Sequence, residues 1–180
     1  MLKGIGKVLF TEEAIQNRVK ELAAEITEDY QGKEIIVVGI LTGAFIFMAD
    51  LIREIKLPLT VDFIDVASYG SSTYSSGVVR IVKDLEKSIE NAHVLVVEDI
   101  VDTGLTLNYI SQNLLSRHPA SLKICAFLDK PSRRQAPIKV DYLGYKIPDE
   151  FAVGYGLDFA EKYRSLPYIA VLAPEEYIKR

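Results

Sequence analysis

Residues 93–107 read H-V-L-V-V-E-D-I-V-D-T-G-L-T-L, and this stretch decides the fold. Val94, Leu95, Val96 and Val97 form a short apolar run that suits a strand buried on both faces of a parallel sheet. Glu98 and Asp99 follow at once, and after Ile100 and Val101 comes the turn Asp102-Thr103-Gly104-Leu105-Thr106, which opens a segment with helical spacing. The order is strand, acidic pair, tight turn, helix N-terminus. Such a turn can aim several backbone N–H groups and the two threonine hydroxyls at an anion, while Gly104 allows close approach and a positive φ. It can hold a phosphate, although no Walker A pattern G-x-x-x-x-G-K-[ST] occurs in the chain.

The acidic pair beside this cradle is the unusual part. Carboxylates repel phosphate unless they bind something else on the same ligand, and ribose hydroxyls with a magnesium ion meet that requirement. The plain alternative is a buried strand that ends in a solvated acidic turn.

Working outward, 180 residues suffice for one domain with a sizeable core. Hydrophobic residues at 49% and charged residues at 26% are the balance of an ordinary soluble globular protein, and a net charge of −4 argues against nucleic-acid binding by a broad basic surface. The one cysteine, Cys125, sits in an apolar run, cannot form an intrachain disulfide and reads as a buried small hydrophobe in a reducing compartment. His93 and His118 show no metal-ligand spacing and read as structural. The first ten residues lack the features of a signal peptide, and the apolar run 35–49 is interrupted by Thr42 and Gly43 and is too short to span a bilayer. A cytoplasmic location with no membrane association is therefore expected.

In chain order, Thr11 caps an expected helix with Glu12 and Glu13 in its first turn and Ile15, Val19, Leu22, Ala23 and Ile26 on one face. Residues 35–40 read as a buried strand, and Leu41-Thr42-Gly43-Ala44 leads from it into a helix reaching about Ile55. This is a second strand-to-helix glycine turn, hence a second possible anion site or simply a structural turn. Residues 59–67 and 78–82 read as strands around a serine- and glycine-rich loop, 68–77, whose composition suits a mobile lid or a linker. Beyond the central motif come a helix over 105–115 and a strand over 123–128 that ends at Asp129-Lys130-Pro131. Lys130 thus stands at a strand end, where open α/β sheets bind ligands. Residues 142–164 mix glycine and aromatic residues without a period and read as a hairpin or loop across the sheet end, residues 168–173 as a last strand, and the tail from Pro174 carries no signal. The alternation predicts an α/β fold with a mostly parallel twisted sheet and helices on both faces.

The central motif closely resembles the phosphoribosyl pyrophosphate (PRPP) motif of type I phosphoribosyltransferases, and I-P-D-E-F-A-V-G-Y-G-L-D-F followed by Y-R resembles the purine-binding hood of the hypoxanthine-guanine members. The resemblance runs from about residue 35 to 173. It implies one phosphoribosyltransferase domain over 1–180, with a small hood subdomain drawn from the N-terminus and from about 142–180. It also implies purine salvage: transfer of phosphoribosyl from PRPP to hypoxanthine or guanine, with Mg2+ as cofactor, in a homodimer or homotetramer. Position by position, Glu98 and Asp99 would hold the ribose hydroxyls and magnesium, and Asp102 would be the general base. Thr103, Gly104, Leu105 and Thr106 would cradle the sugar phosphate, while Thr42, Gly43 and Arg164 would hold pyrophosphate. Lys130 would donate to the 6-oxo group, Phe151 would stack on the base, the Ala152 carbonyl would accept from its edge, and Asp158 would assist a second magnesium. Ser68 and Tyr69 would begin the lid. Thr42 and Leu105 stand where relatives often carry basic or polar residues, and Ala152 is smaller than the usual valine. Rival readings are a phosphoribosyltransferase for another base, a non-enzymatic nucleotide sensor or RNA-binding regulator on the same fold, and a phosphoaspartate receiver domain.

Overall fold

The structure is a computed structural model that describes residues 4–68 and 79–177. Its elements, in order, are Ile5–Phe10 (β1), Glu12–Asp29 (α1), Ile35–Leu41 (β2), Phe45–Glu54 (α2), Leu59–Ser68 (β3), Val79–Lys83 (β4), His93–Val101 (β5), Leu105–Leu115 (α3), Ser121–Asp129 (β6), Tyr142–Lys146 (β7), Ala152–Val153 (β8), Ile169–Leu172 (β9) and Pro174–Tyr177 (α4). Among the described residues, no helix is long and apolar enough to cross a membrane.

The central strands each carry an unbroken apolar run (35–38, 94–97 and 124–128) because each divides its side chains there between two cores. Ile35 and Val37 of β2, Leu95 and Val97 of β5, and Cys125 and Phe127 of β6 face α1 and α2. Val38, Ile40, Val94, Val96, Ile124 and Ala126 alternate with them and face Leu107, Ile110 and Leu114 of α3. With a side-chain period of two, only a strand covered on both faces uses such a run. The six-stranded sheet has the order β4-β3-β2-β5-β6-β7, with β4 antiparallel and the other pairings parallel. From β2 the chain passes to β3 on one side and later to β5 on the other. That reversal makes a crevice at the C-terminal ends of β2 and β5, the usual place for a ligand in such a sheet.

Thr11 caps α1 as expected, its hydroxyl accepting from the Ala14 N–H at 3.2 Å. Three segments differ from the expectation. β5 continues through the acidic pair to Val101, pairing Glu98 with Ala126 and Val101 with Asp129, so Glu98 and Asp99 lie within the strand end and not after it. Residues 142–164 do not begin irregularly: Tyr142–Lys146 is the sixth strand of the main sheet, and its Gly144 lies so close to the Phe127 backbone that a side chain would not fit. The N-terminal residues, for which no strand was expected, form β1, which with β9 and β8 makes a second, antiparallel sheet over Ile5, Val153, Leu166, Ala170 and Leu172.

Asp62 ties β3 to the connection entering β5. Its carboxylate accepts from the Phe63 and Glu86 N–H groups at 2.7 and 2.9 Å, with Lys83 Nζ 3.6 Å away. Burial alone would raise its pKa, but these donors and the lysine outweigh burial and hold it below the ordinary value. A carboxyl depressed by folding contributes stability that is fully present above the unfolded pKa, about 3.9, and is lost as pH falls through the folded value. Asp62→Asn is therefore expected to cost about 1–2 kcal/mol at neutral pH. Urea midpoints at pH 7 and pH 3 check this, since the gap between variant and parent should narrow in acid.

Candidate active site

Two cavities, each of about 260 Å³, open at the crevice and share Asp99, Ile100 and Asp102. The first is lined by Gly43 from the turn after β2, by Glu98 to Gly104, and by Thr106 and Leu107 at the start of α3. The second adds Lys130, Phe151, Ala152, Leu157 and Asp158. Asp102 therefore stands between a cavity at the N-terminus of α3 and one walled by Phe151.

In the first cavity Gly104 has φ 79° and forms the N-cap of α3 without a side-chain cap bond. Thr103 Oγ1 accepts from the Leu105 N–H at 3.4 Å, and the next N–H groups of the helix remain available to an anion. The turn is fastened from below: the Thr103 carbonyl accepts from the N–H groups of Gln135 at 2.8 Å and Ala136 at 3.1 Å. On the opposite side, a Cβ on Gly43 would overlap the Asp99 carboxylate, so only glycine lets this loop close over the acidic pair. The Leu41–Thr42 peptide bond in that loop is cis.

Glu98 and Asp99 are half-buried, and Asp99 directs Oδ1 at the Ile100 N–H, 2.7 Å away. Burial, then the Asp99 charge, holds Glu98 well above the usual carboxylate range. Asp99 is raised too, by burial, against the pull of the Ile100 N–H and of Arg164. Two repelling carboxylates at the mouth of an anion site form a hard-oxygen donor set, the chemistry that suits a divalent cation bridging to ligand oxygens. Among the described residues no three Asp, Glu, His or Cys side chains converge closely enough to hold one ion, although Asp158 lines the second cavity together with Asp99.

In the second cavity Lys130 is buried at 7% exposure, with its backbone N–H on the Val101 carbonyl at 2.9 Å. Burial lowers its pKa, opposed by Asp102 and Asp149. Asp102 Oδ1 lies 2.9 Å from Arg133 Nε in an ion pair without hydrogen-bond alignment, and Arg133 Nη1 reaches Asp149 at 3.4 Å. Arg164 donates to the Gly156 carbonyl at 2.7 Å and pairs with Asp158 at 3.0 Å.

Of the residues singled out in the sequence, the structure gathers Gly43, Glu98, Asp99, Asp102, Thr103, Gly104, Thr106, Lys130, Phe151, Ala152 and Asp158 around the two cavities. Thr42, Leu105 and Arg164 do not line either cavity, although Arg164 stands behind Asp158. Ser68 ends β3, while Tyr69 and the loop through Gly77 lie outside the described residues. Sequence reasoning missed Arg133, Ile100 and Leu157. The basic pair Arg133-Arg134, three residues beyond Lys130, was the signal for the first.

A glycine turn at a helix N-terminus and a cavity walled by Phe151 meet at one carboxylate, on a sheet of this topology, and this arrangement fits a phosphoribosyltransferase. The family model for the phosphoribosyl transferase domain matches residues 8–160. The chain belongs to that family and, within it, to the hypoxanthine-guanine phosphoribosyltransferases. It is 54% identical over 177 residues to the hypoxanthine-guanine phosphoribosyltransferase of Bacillus subtilis (strain 168), covering 98% of each chain. The enzyme of the same name from Staphylococcus aureus (strain Mu50) is 55% identical, with 98% of this chain and 99% of that one covered. A crystal structure of a Staphylococcus aureus hypoxanthine phosphoribosyltransferase superposes with a TM-score of 0.95 at 55% identity, covering 98% of this chain and 96% of that one.

Proposed function

We propose that the protein transfers the phosphoribosyl group of PRPP to hypoxanthine or guanine, forming IMP or GMP and releasing pyrophosphate. The observation that carries this reading is the shared wall of the two cavities: a sugar phosphate held by residues 103–106 and a base against Phe151 would meet beside Asp102. In the reaction the bond from the anomeric carbon to pyrophosphate oxygen breaks and a bond to a purine ring nitrogen forms. Asp102 takes the proton released from the imidazole ring, which raises electron density on the attacking nitrogen. Arg133, which pairs with Asp102 at 2.9 Å, must yield that carboxylate to the base.

Glu98 and Asp99 would hold the ribose hydroxyls and a magnesium ion, and Asp158 would assist a second ion. Bound there, magnesium would stabilise negative charge on the leaving group. Gly43, with the backbone at Thr42, and Arg164 serve the pyrophosphate end, and Ser68 and Tyr69 begin a lid that keeps water from the reacting carbon. The whole chain acts as one phosphoribosyltransferase domain with its hood, in a homodimer or homotetramer in the cytoplasm. Incubating the protein with magnesium, PRPP and each purine separately, then identifying the nucleotide formed, tests the reaction. No IMP or GMP under these conditions would overturn it.

Selectivity among purines follows from Lys130. An ammonium has donors only, so it satisfies a 6-oxo group but cannot accept from the 6-amino group of adenine. Each stranded buried group costs roughly 1–3 kcal/mol, and kcat/KM for adenine is expected to lie about two orders of magnitude or more below that for hypoxanthine. Lys130→Met should narrow the ratio by eroding hypoxanthine use. Equal turnover of adenine and hypoxanthine by the parent protein would refute the role given to Lys130.

A further inference from the structure

The tail beyond β9 carries no signal in the sequence, yet it sets an aromatic ring behind the wall of the base cavity. Phe151 lines that cavity, whereas Tyr177 and Phe159 do not. Tyr177, on α4, stacks on Phe151 with ring centroids 5.2 Å apart and planes inclined by 28°. Phe159 meets the same ring edge-on, at 5.4 Å and 87°. Phe151 is thus backed on two sides and presents its remaining surface to the cavity.

The backing is anchored independently of the base. The Leu172 N–H donates to the Phe151 carbonyl at 2.7 Å, and one residue later the Ala173 N–H donates to the Gly4 carbonyl at 2.9 Å. The Glu176 side chain then closes over Gly4, where any Cβ would meet it. Phe151 and Gly4 are therefore tied to consecutive residues, Leu172 at the end of β9 and Ala173 just beyond it. A phenylalanine ring turns in a broad torsional well, so its plane is set by what packs against it.

We propose that Tyr177 is a positioning residue for the purine: it fixes the plane of the Phe151 ring so that the ring meets the incoming base face to face. The inference rests on the 6-oxopurine reading, in which Phe151 stacks on the base. Tyr177 acts through Phe151 and does not touch the substrate.

Steady-state kinetics of the full-length protein, with hypoxanthine and PRPP varied in turn, test this. Tyr177→Ala is expected to raise KM for hypoxanthine roughly three- to tenfold, the range of an aromatic pair, and to leave KM for PRPP and kcat within about twofold. Tyr177→Phe keeps the ring and should match the parent, while Tyr177→Leu keeps apolar volume without the ring and should fall between. An unchanged hypoxanthine KM in Tyr177→Ala, an equal rise in the KM for PRPP, or a Tyr177→Phe as impaired as Tyr177→Ala would overturn the proposal. If the alanine variant does not fold, the leucine and phenylalanine variants decide by the same criterion. Failure of the parent protein to make nucleotide from hypoxanthine would sink the 6-oxopurine reading instead, a result distinct from all of these.

Discussion

Asp102→Asn is expected to lower kcat and kcat/KM together by about 10²–10⁴-fold while leaving PRPP binding nearly unchanged. The amide has almost the shape of the carboxylate and can still face Arg133, so the wall between the two cavities should stand. What it loses is the ability to accept a proton, and that need arises only as the new bond to the ring nitrogen forms. Steady-state kinetics with PRPP and hypoxanthine each varied in turn check the expectation. Unchanged kcat with a raised KM for PRPP would show that Asp102 is a ligand contact and not the base.

Replacing Glu98 by Gln together with Asp99 by Asn should weaken PRPP binding in magnesium by about 10²-fold or more, since two charged hydrogen-bond acceptors are lost. Binding of the free base should change far less. The same change should stabilise the ligand-free protein. Both carboxyls are held above their ordinary range, chiefly by burial and, for Glu98, by the Asp99 charge as well. The folded chain therefore binds more protons than the unfolded chain across that window, so stability falls as pH rises through it and the penalty is complete once both groups are ionised. The double variant, which has no such penalty, should melt higher than the parent at neutral pH, by roughly 2–4 °C for each kcal/mol relieved, and should lose this advantage near pH 4. Titration calorimetry measures the affinity and thermal melts measure the stability. Parent-like affinity for PRPP would reduce the pair to a solvated strand end.

The sequence was most legible where function and local physics coincide. The part of a strand that serves two cores carries an unbroken apolar run, and a turn that closely approaches an anion favours glycine, so residues 93–107 signalled both. Its boundary was misplaced at Val97 because Glu98 and Asp99 read as a break, whereas pairing with β6 carries the strand through them. β1 escaped notice because its pairing with β9 is irregular, with register shifts between Ile5 and Val8 and between Val8 and Phe10, and so leaves no alternating pattern. β7 was hidden by Gly144 and its aromatic neighbours, a composition explained only by the backbone of Phe127 lying against it. Lys130 was found from its place at a strand end. Arg133 was not, because its partners Asp102 and Asp149 are remote in sequence.

The double hydrogen bond that the Thr103 carbonyl accepts from Gln135 and Ala136 has a consequence for the product. The segment holding that carbonyl begins at Lys130, whose own N–H is fixed on Val101. In the proposed reaction, the turn that would hold the sugar phosphate and the lysine that would meet the 6-oxo group are thus tied through one backbone segment, like the jaws of one caliper. The spacing of their backbones is set by these hydrogen bonds. A nucleotide is then gauged by its length from phosphate to 6-oxo group, and altering either jaw resets the measurement for the other.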